Sequence, residues 1–359
     1  MERFYIGTYT EPIRFGTGEI LEGKGEGIYK AEFHRETKKL VVTGVIPGVK
    51  NPSYLAVNPQ KTMVYGVNEL KEYEGEEAGS ISSFRILNED GDLELVSRAS
   101  THGQDPCHVA VCDNGKRIVA ANFMTGSVCA YEAAPDGRIK ETSFVQHEGG
   151  SVHPVRQKGP HAHSCIPIPG TNRVMIPDLG LDKLMVYELL EDGMLAFREE
   201  ESYLCLPGSG PRFGEFYEEK DLLYVINELG SAISVLQYNR DTRKLEGIQQ
   251  ISTLPAECEN ICADLHMTPD RVFLYASNRG HDSITCYRVL EDGRLEWVSN
   301  VPCGGKTPRN FAIEKNGGFL LVGNQDTDEI VVFQIDQKTG GLTEVSRTPV
   351  PTPVCLCQV

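Results

Sequence analysis

Apolar and polar residues alternate along this chain in short runs, each bounded by Gly, Asn, Asp or Pro. That period of two predicts β-strands, and the three- and four-residue spacing of helices is almost absent. The runs also recur as a unit. A proline opens a short apolar strand, and a turn leads to a second strand ending in Asn or Asp. A polar loop, a third strand ending in an aromatic residue, a Gly-x-Leu-type turn and a fourth strand follow. Residues 52–57, 63–68, 80–84 and 91–96 form one such unit. It restarts at Pro106, Pro160, Pro211, Cys262 and Pro308, at intervals of 54, 54, 51, 51 and 46 residues. Second strands close on Asn68, Asn122, Asp178, Asn227, Asn278 and Asn324.

The ends of the chain supply one more unit. Residues 4–10 fit a second strand, 27–33 a third and 40–42 a fourth, while the missing first strand lies at 353–359. A repeat split in this way closes a ring and leaves no sheet edge open at the seam. The predicted architecture is an all-β, seven-bladed β-propeller of four-stranded antiparallel blades, a single domain over residues 1–359. In such a blade the strands run alternately up and down from the channel outward. The start of strand one and the end of strand two therefore emerge on the same face. First-strand starts carry His108, His161, His163, Arg212, His266 and Arg309. Second-strand ends carry Glu69, Glu228, Arg279, His281, Gln325 and Asp326. These groups are expected to converge on one channel mouth.

Composition narrows the chemistry. With 35 basic and 51 acidic residues the 359-residue chain carries a formal charge of −16. No Lys/Arg run interleaves with aromatics, so nucleic acid is not an expected partner. No apolar span reaches membrane length, so no membrane is expected either. Met1 runs directly into a strand, and most of the eleven cysteines sit in apolar strands. Reduced thiols and a cytoplasmic address are the expectation; a monomer and a weak homo-oligomer both fit. Against this acidic background, residues 147–163 gather four of the nine histidines with Arg156 and Lys158, against the single acid Glu148. A locally cationic segment suits an anionic ligand. A solvated loop with structural imidazoles is the competing explanation.

Features present in every repeat, such as the strand-ending Asn and the opening Pro, belong to the scaffold. The departures from the repeat carry information. Arg follows Pro only in Pro211-Arg212 and Pro308-Arg309, and charge follows the strand-two Asn in Asn68-Glu69, Asn227-Glu228 and Asn278-Arg279. An arginine near a channel implies a carboxylate or phosphate partner, or else an Arg212–Glu228 pair that locks two blades. Glu228 can transfer a proton if burial raises its pKa, or can serve as that arginine's counter-ion. His161 and His163, two apart on an expected strand, share a face. Cys258, Cys262 and His266 lack the spacing of a standard zinc site. The glycine-rich stretch 208–214 leads into a strand, not the helix that a phosphate loop requires. No Gly-x-Ser-x-Gly elbow is present. Neither a metal nor a cofactor is expected. The insertions 11–26 and 71–77 are candidate covers for the mouth.

Several stretches together resemble the seven-bladed propeller lactonases of the 6-phosphogluconolactonase type, a group that includes a fungal carboxymuconate cyclase. They are Tyr5-Ile6-Gly7-Thr8-Tyr9-Thr10, Arg156-Gln157, Pro160-His161-Ala162-His163 and Asp178-Leu179-Gly180-Leu181-Asp182-Lys183. Further along come Gly210-Pro211-Arg212, Asn227-Glu228-Leu229, Ser277-Asn278-Arg279-Gly280-His281-Asp282-Ser283 and Pro308-Arg309-Asn310-Phe311-Ala312-Ile313. The resemblance covers the whole chain. It implies a cofactor-free hydrolase acting on a small anionic sugar lactone, 6-phosphoglucono-1,5-lactone above all. It further implies a working set of His161 or His163, Glu228, Arg212 and Arg279. Arg156 and Lys158 would hold a phosphate, and His108, His266, His281, Arg309 and Glu69 would complete the binding wall. One departure is Phe213, where many relatives carry His. A carboxymuconate-type cyclase and a non-catalytic binding platform are the alternatives.

Overall fold

The computed structural model describes residues 1–14 and 18–359. Seven four-stranded antiparallel sheets follow one another around a β-propeller. Blade I combines Pro353–Gln358 with Glu2–Thr8, Gly27–His34 and Lys39–Pro47. Blade II begins at Tyr54–Val57, blade III at Pro106–Cys112 and blade IV at the two-residue strand Ile166–Pro167. Blades V, VI and VII begin at Pro211–Tyr217, Ile261–Met267 and Pro308–Ile313. The innermost strand of each blade touches those of both neighbours, so the ring is complete. Its seam is the ladder from Phe4↔Gln358 to Thr8↔Pro353.

Five of the seven second strands are buried along their whole length, as in Met63–Asn68 and Leu222–Asn227, and the other two are open only at their first residues. Both of their faces pack against neighbouring blades, which is why they read as continuous apolar runs. Fourth strands lie at the rim and are only partly buried, as in Leu93–Ser100. The apolar core is correspondingly divided between the blades. Blades I and VII, for example, share Phe4, Ile6 and Ala31 with Leu321, Ile330 and Val332. Tyrosine hydroxyls latch adjacent blades by donating to turn carbonyls of the next one. Tyr5 reaches Gly91, Tyr224 reaches Gly293 and Tyr275 reaches Gly340, at 2.8–2.9 Å.

The strand-ending asparagines are scaffold. Asn68, Asn122, Asn278 and Asn324 donate Nδ2 to the carbonyls of Lys50, Thr101, Thr253 and Cys303, which lie in the loops leading into their own blades. Asp178 takes this place in blade IV and reverses the polarity, because a carboxylate only accepts. It receives the amides of His161, Gly180 and Leu181 and pairs with Nδ1 of the fully buried His147 at 2.7 Å.

One irregularity recurs where the innermost strand begins. Pro106 pairs Asn122 and His108 pairs Ala121, so Cys107 is an extra residue; Arg212, Arg309 and Val354 are extra in the same way. In blade VI, Ala263 and Asp264 both fall between the paired Cys262 and Leu265. Such a bulge re-aims its side chain out of the pleat.

Ring closure depends on Pro353–Gln358. Deleting residues 353–359 exposes the full edge of Glu2–Thr8 and removes part of the core between blades I and VII. The expected result is a chain that aggregates and melts at lower temperature than the full-length protein, read by calorimetry and sedimentation. A truncated chain as soluble and heat-stable as the parent would contradict this account of the seam.

Candidate active site

At the channel mouth lies a cavity of about 790 Å3, whose wall includes Arg156, His163, Glu228, Arg279, Arg309 and Glu69. Beneath it a pit of about 20 Å3, room for roughly one water molecule, is bounded by Glu69, Cys107, His108, His163, Arg212 and Asp264. The bulges put their side chains here: Cys107 and Arg309 face both spaces, Arg212 and Val354 the pit.

Glu228 organises the charged groups. Its carboxylate receives Arg156 Nη2 at 2.5 Å, Arg212 Nε at 3.0 Å and Arg279 Nη2 at 2.7 Å. Burial by itself would raise the pKa of Glu228. Arg279, Arg156 and Arg212 overcome that and hold it well below the usual carboxylate range. Of the two expectations for Glu228, proton transfer and counter-ion, the depressed pKa favours the counter-ion, an anion that orients three cations. The anticipated Arg212–Glu228 pair exists, and Arg212 and Arg279 are tied further to the carbonyls of Ala263 and Cys262. Burial lowers the Arg279 pKa to about 10; Glu228 opposes the shift, and Arg212 and Arg309 add to it. Three guanidiniums on one carboxylate leave a local surplus of positive charge.

Segment 147–163 reaches this cluster because the motifs around it hold it in place. Asp178 fixes the His161 amide, Gln157 donates to the Leu179 carbonyl at 2.8 Å, and Arg156 extends to Glu228. Gly180 is required here, since a Cβ would stand 2.0 Å from the Gly159 carbonyl oxygen. Asp182 accepts the amides of Gly208 and Gly210 at 2.7 Å and so shapes the approach to Arg212. The glycine-rich stretch 208–214 thus already holds an anion, the protein's own carboxylate.

The two histidines have different surroundings. No continuous strand covers 160–165; a single bridge joins Ala162 to Asp178, so the expected shared strand face is not formed. His161 stacks on Phe123 at 4.7 Å between ring centres, and its Nδ1 lies 2.9 Å from that residue's carbonyl oxygen. His163 is buried and borders both cavity and pit. Burial, reinforced by Arg212, holds its pKa well below the ordinary histidine value, so it is uncharged.

Other expected wall residues lie elsewhere. Lys158 and His281 are exposed and outside the lining of both spaces; His281 Nδ1 meets Ser283 Oγ instead. His108 bounds the pit, not the mouth, and burial pushes its pKa down to about 3. His266 sits between Asp264 and Glu215, 3.2 Å from each, outside the lining. Burial opposes its charge, yet Asp264 and Glu215 raise its pKa to about 10. Cys258 is exposed, whereas Cys262 is buried against Thr253. Phe213 belongs to a chain of rings beneath the mouth. Tyr54–His108, His108–Phe213, Phe213–His266 and His266–Phe311 have centres 4.1, 5.8, 5.7 and 5.1 Å apart. The insertion 11–26 lies partly outside the described residues; Glu19 and Leu21 from it border the cavity. From 71–77, Lys71 pairs with Asp105 on the cavity wall.

Sequence reasoning passed over Tyr9, Cys107 and Asp264. Cys107 was detectable from the repeat alone, because it stands directly after Pro106 as Arg212 and Arg309 stand after theirs. Tyr9 reaches the site through a fold contact, its hydroxyl 3.0 Å from both oxygens of Glu69.

The model of the seven-bladed β-propeller lactonase family matches residues 3–357. The chain belongs to this family. It is 34% identical to a 6-phosphogluconolactonase of Bacillus subtilis over 98% of this chain and 97% of that protein. A 6-phosphogluconolactonase of Formosa agariphila is 29% identical over 90% and 92%. The solved periplasmic gluconolactonase of Pseudomonas aeruginosa superposes with a TM-score of 0.89 at 28% identity, covering 100% of this chain and 99% of that one.

Two outcomes are expected of the ion pairs. Glu228→Gln leaves the buried Arg212 and Arg279 and the half-buried Arg156 without their anion, at a cost of about 3–5 kcal/mol by analogy with broken buried pairs. Because the folded pKa is depressed, the deficit is complete above the ordinary carboxylate pKa and shrinks as pH falls below it; urea titrations at several pH values test this. For His266→Asn the sign reverses, since the folded pKa is raised. Its deficit is greatest below the ordinary histidine pKa and disappears as pH rises through about 10.

Proposed function

We propose that the channel-mouth cavity opens a sugar lactone by hydrolysis, with the 6-phosphate of glucono-1,5-lactone as preferred substrate. The observation that carries this reading is an uncharged His163 in the same cavity as Arg156 and Arg279, two of the three guanidiniums gathered on Glu228. Lactone opening needs a group that takes a proton from water and a fixed positive field at the carbonyl oxygen as it becomes an oxyanion. His163 supplies the first and Arg279, with Arg212 beneath it, the second. The field is preorganised, because Glu228 and two backbone carbonyls already hold both guanidiniums in place.

The charge balance of the Glu228 cluster favours an anionic substrate. Arg156, Arg212 and Arg279 outnumber the one carboxylate they share, and Arg156 is the most accessible, with 16% of its side chain exposed. A phosphate beside Arg156 offsets that surplus. It also raises the pKa of His163 toward neutrality, which improves the imidazole as a base. Family membership and the names of the relatives support lactone chemistry. The unphosphorylated gluconolactone is the nearest competing substrate.

Freshly generated 6-phosphogluconolactone and plain gluconolactone, each with and without chelator, test the reading. The wild type should accelerate both and favour the phosphorylated one, unaffected by chelator. His163→Gln should lower kcat by about 10²–10⁴-fold, the usual range for a lost general base. Arg156→Met should raise KM mainly for the phosphorylated lactone. A well-folded wild type that accelerates neither substrate sinks the proposal.

A further inference from the structure

With Glu228 a fixed anion, a lactonase site still needs a proton for the departing ring oxygen. Among the described residues the cavity wall offers few carboxyls to supply it. Asp105 is paired with Lys71. Glu19, Glu259 and Asp326 are exposed. Glu69 is different: it is 5% exposed and borders both the mouth cavity and the pit, as His163 does. Its two oxygens lie 3.0 Å from one Tyr9 hydroxyl, which has a single proton to donate. A carboxyl whose principal bonded partner is a neutral phenol is free to be an acid in a way that one held by three guanidiniums is not.

We propose that Glu69 is the proton-holding carboxyl of this site and that it protonates the ring oxygen as the lactone opens. The inference rests on the lactone-opening reading above. The neighbours of Glu69 are consistent with the role. Tyr9 of blade I and Ser53 at the start of blade II flank it, Asp105 and Cys107 approach from blade III, and Arg309 from blade VII. Burial raises its pKa and outweighs the rest: Arg309 opposes the shift, Asp105 adds to it, and hydrogen bonds from Ser53 and Tyr9 oppose it. Cys107 and Tyr9 stay protonated for the same reason of burial.

The proton balance closes. Water oxygen bonds to the carbonyl carbon while one of its protons passes to His163. The carbon–oxygen bond of the ring then breaks, and the departing oxygen takes the proton of Glu69. The pit borders both side chains and has room for one water, so the proton on His163 can return to Glu69 through it. The new carboxylic acid ionises, and each turnover consumes one water and releases one proton.

The test is the pH dependence of kcat for the wild type, Glu69→Gln, Glu69→Asp and Asp105→Asn on 6-phosphogluconolactone, with melting curves as a check on folding. An acid that must be protonated gives a rate that falls on the alkaline side. Glu69→Gln should lower kcat roughly 100-fold or more, change KM by less than about threefold, and abolish that alkaline limb. Glu69→Asp should restore part of the rate together with the limb, and it also covers the case in which the Gln variant does not fold. A Glu69→Gln enzyme with near-wild-type kcat and an unchanged limb overturns the inference, as does a limb lost in Asp105→Asn instead. Infrared spectra supply a readout that needs no substrate. A protonated-carboxyl band at neutral pH, sensitive to deuteration, should be present in the wild type and missing from Glu69→Gln. A wild type inert toward lactones overturns the lactonase reading and the proton delivery with it. A band that persists in Glu69→Gln overturns the proton-holding role alone.

Discussion

A blade of this protein cannot bury its two faces by itself. Each sheet needs a neighbour on both sides, and the first and last blades find theirs only if the chain ends meet. The pairing of Pro353–Gln358 with Glu2–Thr8 is therefore the constraint on which the rest depends. It completes blade I and lets Phe4 and Ile6 pack against blade VII. It also demands small residues at close approaches: a Cβ on Gly7 would stand 2.2 Å from the Pro52 carbonyl oxygen. Tight packing of this kind resists gradual deformation, so the mouth is framed by a stiff ring.

That ring sets where the inner strands start, and the extra residue at each start sets what faces the channel. Cys107, Arg212, Arg309 and Val354 occupy equivalent bulges, yet only two of them are charged. Function has been written onto a repeated backbone by changing side chains at one recurring position. Glu228, at a second-strand end, then gathers arginines from three blades. The cluster is costly to bury and is offset by mutual pairing. What it provides is direction, because guanidiniums already held in place need not reorganise when charge develops nearby.

Much of this was legible in the chain. The period of two, the recurring Pro and Asn, and the split final repeat lead to seven blades without a structure in hand. The same frame brings Glu228, Arg212, Arg279 and His163 to one face. What it could not supply was the sign of a pKa shift. Burial of Glu228 argues for a raised value, and only the distances to three guanidiniums reverse it. Nor could spacing separate His161 from His163, because the expected strand there is broken and Phe123 captures one ring. Lys158 and His281 look like site residues by position, but their side chains turn to solvent. Tyr9 meets Glu69 across a separation of 60 residues, a contact that no local pattern encodes.

The rings running from Tyr54 through His108, Phe213 and His266 to Phe311 come from five of the seven innermost strands. Three of them, Tyr54, His108 and Phe213, border the pit. A lactone opened above them gains a carboxylate beside the guanidiniums gathered on Glu228. The departing molecule is then held more firmly there than the arriving one was. The tighter that hold, the more the pace of turnover passes from the bond that breaks to the anion that has to go.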